Sequence, residues 1–379
     1  MRFPEFSGEW DSFKLVELGK FIGGGTPSSS NLSFWTGSIP WISSSDIKED
    51  NINNISISRY ITEDAIEKSA TKYCPAPVIL IVSRVGVGKV ALSHTSLCTS
   101  QDFCNIIDIK CHPVFLSYNL LRTMKRKSRE VQGTSIKGIT SDELQKIRVF
   151  IPKNKDEQNK ISNLLTLLDE RIVTQNKIIE DLKKLKCAII EKLYSKIQGK
   201  EYSYGQLFDV VNERNKQMEY SNILSASQEK GMVNRDDLNL DIQFERSNIN
   251  TYKIVRKGDY VIHLRSFQGG FAFSDKLGVC SPAYTILRPN SLLEYSYLSY
   301  YFTSRRFIKS LIIVTYGIRD GRSINVEEWL NMKVVIPSKE HQLHTLNVLK
   351  RIDDKVENEE KYATCLSNQK QYLLRQMFI

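Results

Sequence analysis

Residues 148–152, Arg-Val-Phe-Ile-Pro, lead through a short polar link into Glu157-Gln158 and then into apolar residues at Ile161, Leu164, Leu165, Leu168 and Ile172. Residues 333–337, Lys-Val-Val-Ile-Pro, lead in the same way into His341-Gln342 and then Thr345, Val348, Leu349, Ile352 and Val356. A constant shift of 184 carries Gln158 onto Gln342, Leu182 onto Leu366, Ile189 onto Leu373 and Leu193 onto Met377. The chain therefore holds two copies of one strand-to-helix frame.

In the first copy, Leu165, Leu168, Ile172, Gln175, Ile179, Leu182, Lys186, Ile189 and Leu193 step by alternating three and four residues, the seam of a coiled coil. In the second copy the seam is Leu349, Ile352, Val356, Glu359, Ala363, Leu366, Lys370, Leu373 and Met377, with polar residues at the same two steps. Polar seam residues select direction and register. Parallel packing sets Lys186 against Lys370; antiparallel packing sets Lys186 against Glu359 and Gln175 against Lys370, so the antiparallel arrangement is expected. A helix of about 36 residues is roughly 55 Å long. Antiparallel pairing would then place one domain at each end of a rod. The competing reading of the seams is dimerisation with a second copy of the chain.

At 379 residues the chain exceeds what a single core usually holds, and two globular domains are expected. The expected boundaries are a domain over 1–152, a helical spacer over 153–198, a second domain over 199–337 and a second helical spacer over 338–379. The expected fold class is α+β, with two mixed α/β domains separated by an antiparallel helix pair. Lys and Arg total 53 against 43 Asp and Glu, a net charge of +10 dispersed along the chain. That balance suits a protein lying on a polyanion, and many proteins of other kinds share it. Seven cysteines without a C-x-x-C pair indicate neither a disulfide framework nor a zinc cluster, which points to a reducing, cytoplasmic setting. The start of the sequence lacks a basic and then apolar leader, and no apolar run is long enough to span a bilayer, so no membrane partner is expected.

In the first domain, Phe13–Gly25 reads as a short amphipathic segment stopped by Gly23-Gly24-Gly25. Ile39–Ile42, Val78–Val82, Ile106–Ile109 and Ile147–Ile151 read as strands, and Phe115–Lys127 as a helix with a basic end. Two glycine-bearing loops carry cations: Arg84-Val-Gly86-Val-Gly88-Lys89, and Gly133–Gly138 with Lys137. The second domain has its own pair, Arg265 with Gln268 and Arg319 with Arg322. Guanidinium and amide groups match guanine and adenine edges in the major groove, and such side chains equally form surface salt bridges. Gly86-Val-Gly88-Lys89 lacks the spacing of a nucleotide-binding loop; a turn exposing Arg84 and Lys89 to a polyanion and a plain hairpin turn both remain open. The tyrosines of Tyr295–Tyr301 are expected to pack a helix on the core.

No catalytic constellation is present. The five histidines are scattered; Cys104, Cys111 and His112 match no ligand spacing; Asp169, Glu170, Asp353 and Asp354 read as a charged helix face. No metal site is expected.

Several motifs together resemble the specificity subunits of type I restriction-modification systems: Phe34-Trp35 through Ile39-Pro-Trp41-Ile42 with Ser44-Ser45-Asp46, Ser83-Arg84-x-Gly86-x-x-Lys89, Gly133-Thr-Ser-Ile-Lys-Gly-Ile139, and the two Ile-Pro leads into Glu157-Gln158 and His341-Gln342. The resemblance covers nearly the whole chain and rests on motif order and twofold repetition. It implies two target recognition domains reading the halves of a bipartite site in double-stranded DNA, a helix pair setting the gap, and no catalysis on this chain. Two methyltransferase subunits and the restriction/translocase subunits would be the partners. S-adenosylmethionine and ATP with magnesium would belong to those partners, this chain binding no cofactor. On this reading Arg84, Gly86, Lys89, Lys137, Arg265, Gln268, Arg319 and Arg322 contact DNA. A non-DNA scaffold that spaces two ligand-binding domains is the alternative.

Overall fold

In a computed structural model, residues 2–131, 138–227, 230–238, 246–263, 270–316 and 323–378 are described. The chain divides into two compact units, 1–176 with 361–379, and 177–360. Helices Lys155–Ser195 and Lys339–Gln376 each contribute residues to both units.

In the unit of residues 1–176 and 361–379, Trp10–Lys14 pairs antiparallel with Arg148–Pro152. One four-stranded sheet runs in the order Lys20–Gly23, Cys104–Ile107, Val78–Ile81, Val90–Ser93. A second runs Arg59–Ile61, Ile39–Ile42, Leu97–Thr99, Tyr73–Cys74, with a parallel pair at Trp41 and Cys98. Val78–Ile81 is buried at every position, which explains why it reads as a continuous apolar run rather than an alternating one. The amphipathic segment after Phe13 forms a helix only over Leu15–Leu18, and Phe21 and Ile22 lie on the following strand. Gly19 makes that switch possible, since a Cβ there would stand 2.8 Å from the Ile107 carbonyl oxygen. Helix Pro113–Val131 packs on the first sheet, and its Phe115, Leu116, Leu120, Leu121 and Met124 share one core with Ile161, Leu165, Leu374 and Met377.

In the unit of residues 177–360 the same frame recurs. Lys200–Ser203 pairs with Lys333–Ile336, and a four-stranded sheet runs Phe208–Val211, Thr285–Pro289, Tyr260–Ile262, Phe271–Phe273. Both sheets thus have the first strand in sequence at one edge, the last beside it, and a hairpin completing the other side. The core is aromatic: Tyr204 stacks on Trp329 at 4.2 Å, and Phe208, Tyr260, Phe271, Phe302 and Phe307 close around them. Tyr297 is buried in that core, and helix residues Ile190, Tyr194 and Leu349 join it.

The duplicated glutamines clamp the duplicated turns. Gln158 donates from Nε2 to the Pro152 carbonyl at 2.8 Å and accepts from the His112 amide at 3.0 Å. Gln342 donates to the Pro337 and Leu292 carbonyls, each at 3.0 Å, and accepts from the Glu294 amide at 2.8 Å. The preceding residues differ: Glu157 is fully buried beneath Arg2 and Trp10, whereas His341 is exposed.

The two long helices run antiparallel within each unit. In the first unit Lys370 pairs with Asp169; in the second Lys183 pairs with Glu360 at 2.7 Å and Lys186 with Asp353. The direction is the expected one and the expected pairings are corrected. Lys186 extends to Asp353, six positions before Glu359, and Lys370 to Asp169, six positions before Gln175. Glu359 takes Lys355 of its own helix, and Gln175 is buried in the seam. A carboxylate beside the seam offers a buried ammonium full charge compensation, which the Gln175 amide does not. Asp169 accordingly does not belong to a solvated charged face, whereas Asp353 stays partly exposed. Asp169 accepts from the Tyr118 hydroxyl at 2.8 Å and Asp353 from the Tyr300 hydroxyl at 2.7 Å, so each unit holds one lysine–aspartate–tyrosine node.

Candidate nucleic-acid interface

The turn between Val78–Ile81 and Val90–Ser93 is short, and its glycines permit it: Gly86 has φ +88° and Gly88 φ +112°, conformations that side-chain-bearing residues rarely adopt. Arg84, Val85 and Gly86 are exposed at its tip. Lys89 is half-buried and donates from Nζ to the Ser44 carbonyl at 3.1 Å, so its ammonium braces the turn at Ser44-Ser45-Asp46. Both serine-rich turn and glycine turn were singled out in the sequence, and the fold joins them through this hydrogen bond.

The stretch ending in Gly138-Ile139 also reaches the turn. The Ile139 amide donates to the Ser83 carbonyl at 2.7 Å, and a Cβ on Gly138 would stand 2.6 Å from the Ser83 oxygen and 3.1 Å from the Arg84 Cα. A cleft of about 670 Å³ opens here, lined by Gly23, Gly24, Arg84, Gln101, Gly138 and Gln145 among others. Lys137, Arg265, Gln268, Arg319 and Arg322 lie outside the described residues.

Sequence reasoning missed Arg59. Its guanidinium lies 4.6 Å from the Trp41 ring, donates to the Ser43 hydroxyl at 2.7 Å and pairs with Asp46. Nothing around Arg59 in the sequence marks it, because its partners lie thirteen or more positions upstream and meet it only through the pairing of Ile39–Ile42 with Arg59–Ile61. Arg59, Lys89 and Arg84 therefore stand on one connected set of turns. Lys89 and Arg59 spend their cationic groups bracing these turns, and the exposed Arg84 guanidinium is the group placed to meet phosphate oxygens or base edges.

Among the described residues, no three His, Cys, Asp or Glu side chains are grouped to hold a metal ion. Cys104 donates to Ser141 at 3.5 Å, and His112 caps the start of helix Pro113–Val131 by accepting from the Phe115 amide at 3.3 Å. Burial pushes the Cys74 thiol up to about 11 and the Cys98, Cys111 and Cys280 thiols up to about 12, so these are inert packing groups. No described helix is long and apolar enough to cross a membrane.

Comparison with known proteins locates this architecture. Residues 7–184 match the family described as the type I restriction modification DNA specificity domain. The type I restriction enzyme MjaIX specificity subunit of Methanocaldococcus jannaschii is 30% identical over 213 residues, covering 53% of this chain and 48% of that protein. The EcoR124I/EcoR124II specificity subunit of Escherichia coli is 34% identical over 177 residues, covering 45% of this chain and 43% of that one. The chain thus matches about half the length of these curated relatives. Two solved structures share the fold over nearly the whole chain. One, from work on complex assembly and conformational transition of the type I R-M system, has a TM-score of 0.65 at 14% identity and covers 98% of both chains. The other, the type I restriction-modification S subunit from M. genitalium, has a TM-score of 0.54 at 16% identity, covering 100% of this chain and 99% of that one. Residues 7–184 therefore match a type I restriction modification DNA specificity domain, and the chain as a whole shares its fold with solved structures from type I restriction-modification systems.

Proposed function

We propose that the protein is a non-catalytic, cytoplasmic DNA reader that recognises a bipartite duplex target, one half per domain, and brings methyltransferase and restriction subunits to it. The observation that carries this reading is the contrast between frame and loops. The two units repeat strand order, glutamine clamp and lysine–aspartate–tyrosine node, yet their glycine-bearing loops differ in sequence. A common frame with distinct loops suits one task performed on two targets. On this reading Arg84 contacts DNA from an exposed turn that Lys89 holds in shape, Lys137 joins them, and Arg265, Gln268, Arg319 and Arg322 serve the second half-site. Some of these contact phosphate only and position without specifying. The helix pair acts as the spacer that sets the gap, and S-adenosylmethionine and ATP with magnesium are bound by the partner subunits.

Methylated adenines mapped in cells that carry this chain with its cognate methyltransferase test the proposal. Two short motifs separated by a constant gap are expected. Loss of only one motif's constraint in an Arg84→Ala strain would assign the first unit to that half. Methylation without a bipartite motif would overturn the reading, and duplex binding that does not fall with salt would favour the scaffold alternative.

A further inference from the structure

A second basic region lies in the first unit, apart from the glycine turn. Arg122, Lys125, Arg126 and Arg129 recur at the spacing of one helix face on Pro113–Val131, and Arg148 and Arg375 complete a cleft of about 470 Å³. Its floor is apolar: Val149 and Leu374 are buried, and Phe150 is partly exposed. Lys125 pairs with Asp50, but among the described residues no carboxylate pairs with Arg126, Arg129 or Arg375, all of which are exposed. Burial, together with the like charge of Arg126, holds the Arg122 guanidinium below its ordinary range.

The unit of residues 177–360 has a cleft at the corresponding place, where Lys333, Val334 and Val335 stand for Arg148, Val149 and Phe150 at a shift of 185. That cleft is about 220 Å³, and its charges are answered internally. Lys333 pairs with Glu201 at 3.0 Å, and Arg306 donates to the Ser195 carbonyl at 3.3 Å. The frame is duplicated here and the surplus of cations is not.

We propose that the basic cleft of the first unit docks an acidic, apolar-bearing segment of a protein partner that engages this unit alone. Duplex DNA fits the observations less well on three counts. A ligand shared by both units would select for cations in both clefts. The apolar floor of Val149, Phe150 and Leu374 offers nothing to a phosphate and a pocket to an aliphatic side chain. The glycine turn packs at Gly88 against Ser128 and the Met124 carbonyl, neither of which lines the cleft. Converging cations attract an acidic segment over distance, and the apolar floor gives it a seat. The inference stands whether or not the loops read DNA.

A fluorescein-labelled peptide of alternating glutamate and leucine, titrated against the full-length protein by anisotropy, tests it beside a mixed-sequence duplex. The peptide is expected to bind. Arg126→Glu with Arg129→Glu should weaken peptide binding by about tenfold or more and leave duplex binding within about twofold. Arg375→Glu, on the opposite wall and a different helix, should act in the same direction, which separates loss of the cleft from damage to one element. Failure of the peptide to bind the unaltered protein, or equal losses for peptide and duplex, would overturn the proposal.

Discussion

Lys370 and Asp169 form an ion pair closed to solvent, with side chains 2% and 3% exposed, between the two long helices of the first unit. The Lys370 ammonium also donates to the Asp50 carbonyl and lies 5.6 Å from the Tyr118 ring, whose hydroxyl completes the carboxylate's bonding. Burial raises the Asp169 carboxyl and lowers the Lys370 ammonium from their ordinary ranges, against the mutual attraction that holds both charged.

Removing one partner should therefore be costly. Lys370→Met leaves a buried, uncompensated carboxylate, and a loss of about 3–5 kcal/mol is expected in urea unfolding. Lys370→Met with Asp169→Leu should recover most of that loss. A single variant as stable as the parent would refute the assigned pairing.

The same variant should show a signed pH dependence. A carboxyl raised above its unfolded value binds its proton more tightly in the folded state, so folding gains stability as pH falls through the raised range. The Lys370→Met deficit should be largest at neutral pH and shrink on acidification toward the ordinary aspartate range. A deficit that grows as pH falls would contradict the cause assigned here.

The matching pair in the second unit should behave differently. Lys186 and Asp353 are 28% and 36% exposed, although Lys186 likewise lies near a tyrosine ring, that of Tyr300 at 5.2 Å. Lys186→Met is expected to cost no more than about 1 kcal/mol, since water substitutes for the lost partner. Equal costs for Lys186→Met and Lys370→Met would show that solvent access does not govern these nodes.

The glutamine clamps are testable in parallel. Gln158→Ala and Gln342→Ala each strip partners from buried backbone groups and should destabilise by about 1–3 kcal/mol. Chemical denaturation with unchanged slope would confirm a native-state effect.

At the candidate interface, Gly138→Ala places a Cβ against the Ser83 carbonyl and must shift the base of the Arg84 turn. Duplex affinity should fall in Gly138→Ala as well as in Arg84→Ala, by about 1 kcal/mol or more, while Leu32→Ala on an exposed site serves as a neutral control. Unaltered duplex binding in both variants would remove this turn from the interface.

Much of this architecture is legible in the residue order. The shift of 184 exposes the duplicated helices, Gln158 and Gln342 mark equivalent turns, and the three-four seam points to antiparallel pairing, although through polar partners that the structure replaces. These features are local or periodic, and periodicity survives in a sequence without any knowledge of neighbours. Partner choice across the seam is different in kind. Lys370 takes Asp169 rather than Gln175, and Arg59 takes Trp41, Ser43 and Asp46, because the packed chain brings a carboxylate or a ring within reach. The sequence by itself determined the repeated frame and pointed to the direction of its helices. Only the tertiary structure decided which charges are buried together and which remain open in the basic cleft, because desolvation and side-chain reach depend on what surrounds a group in space.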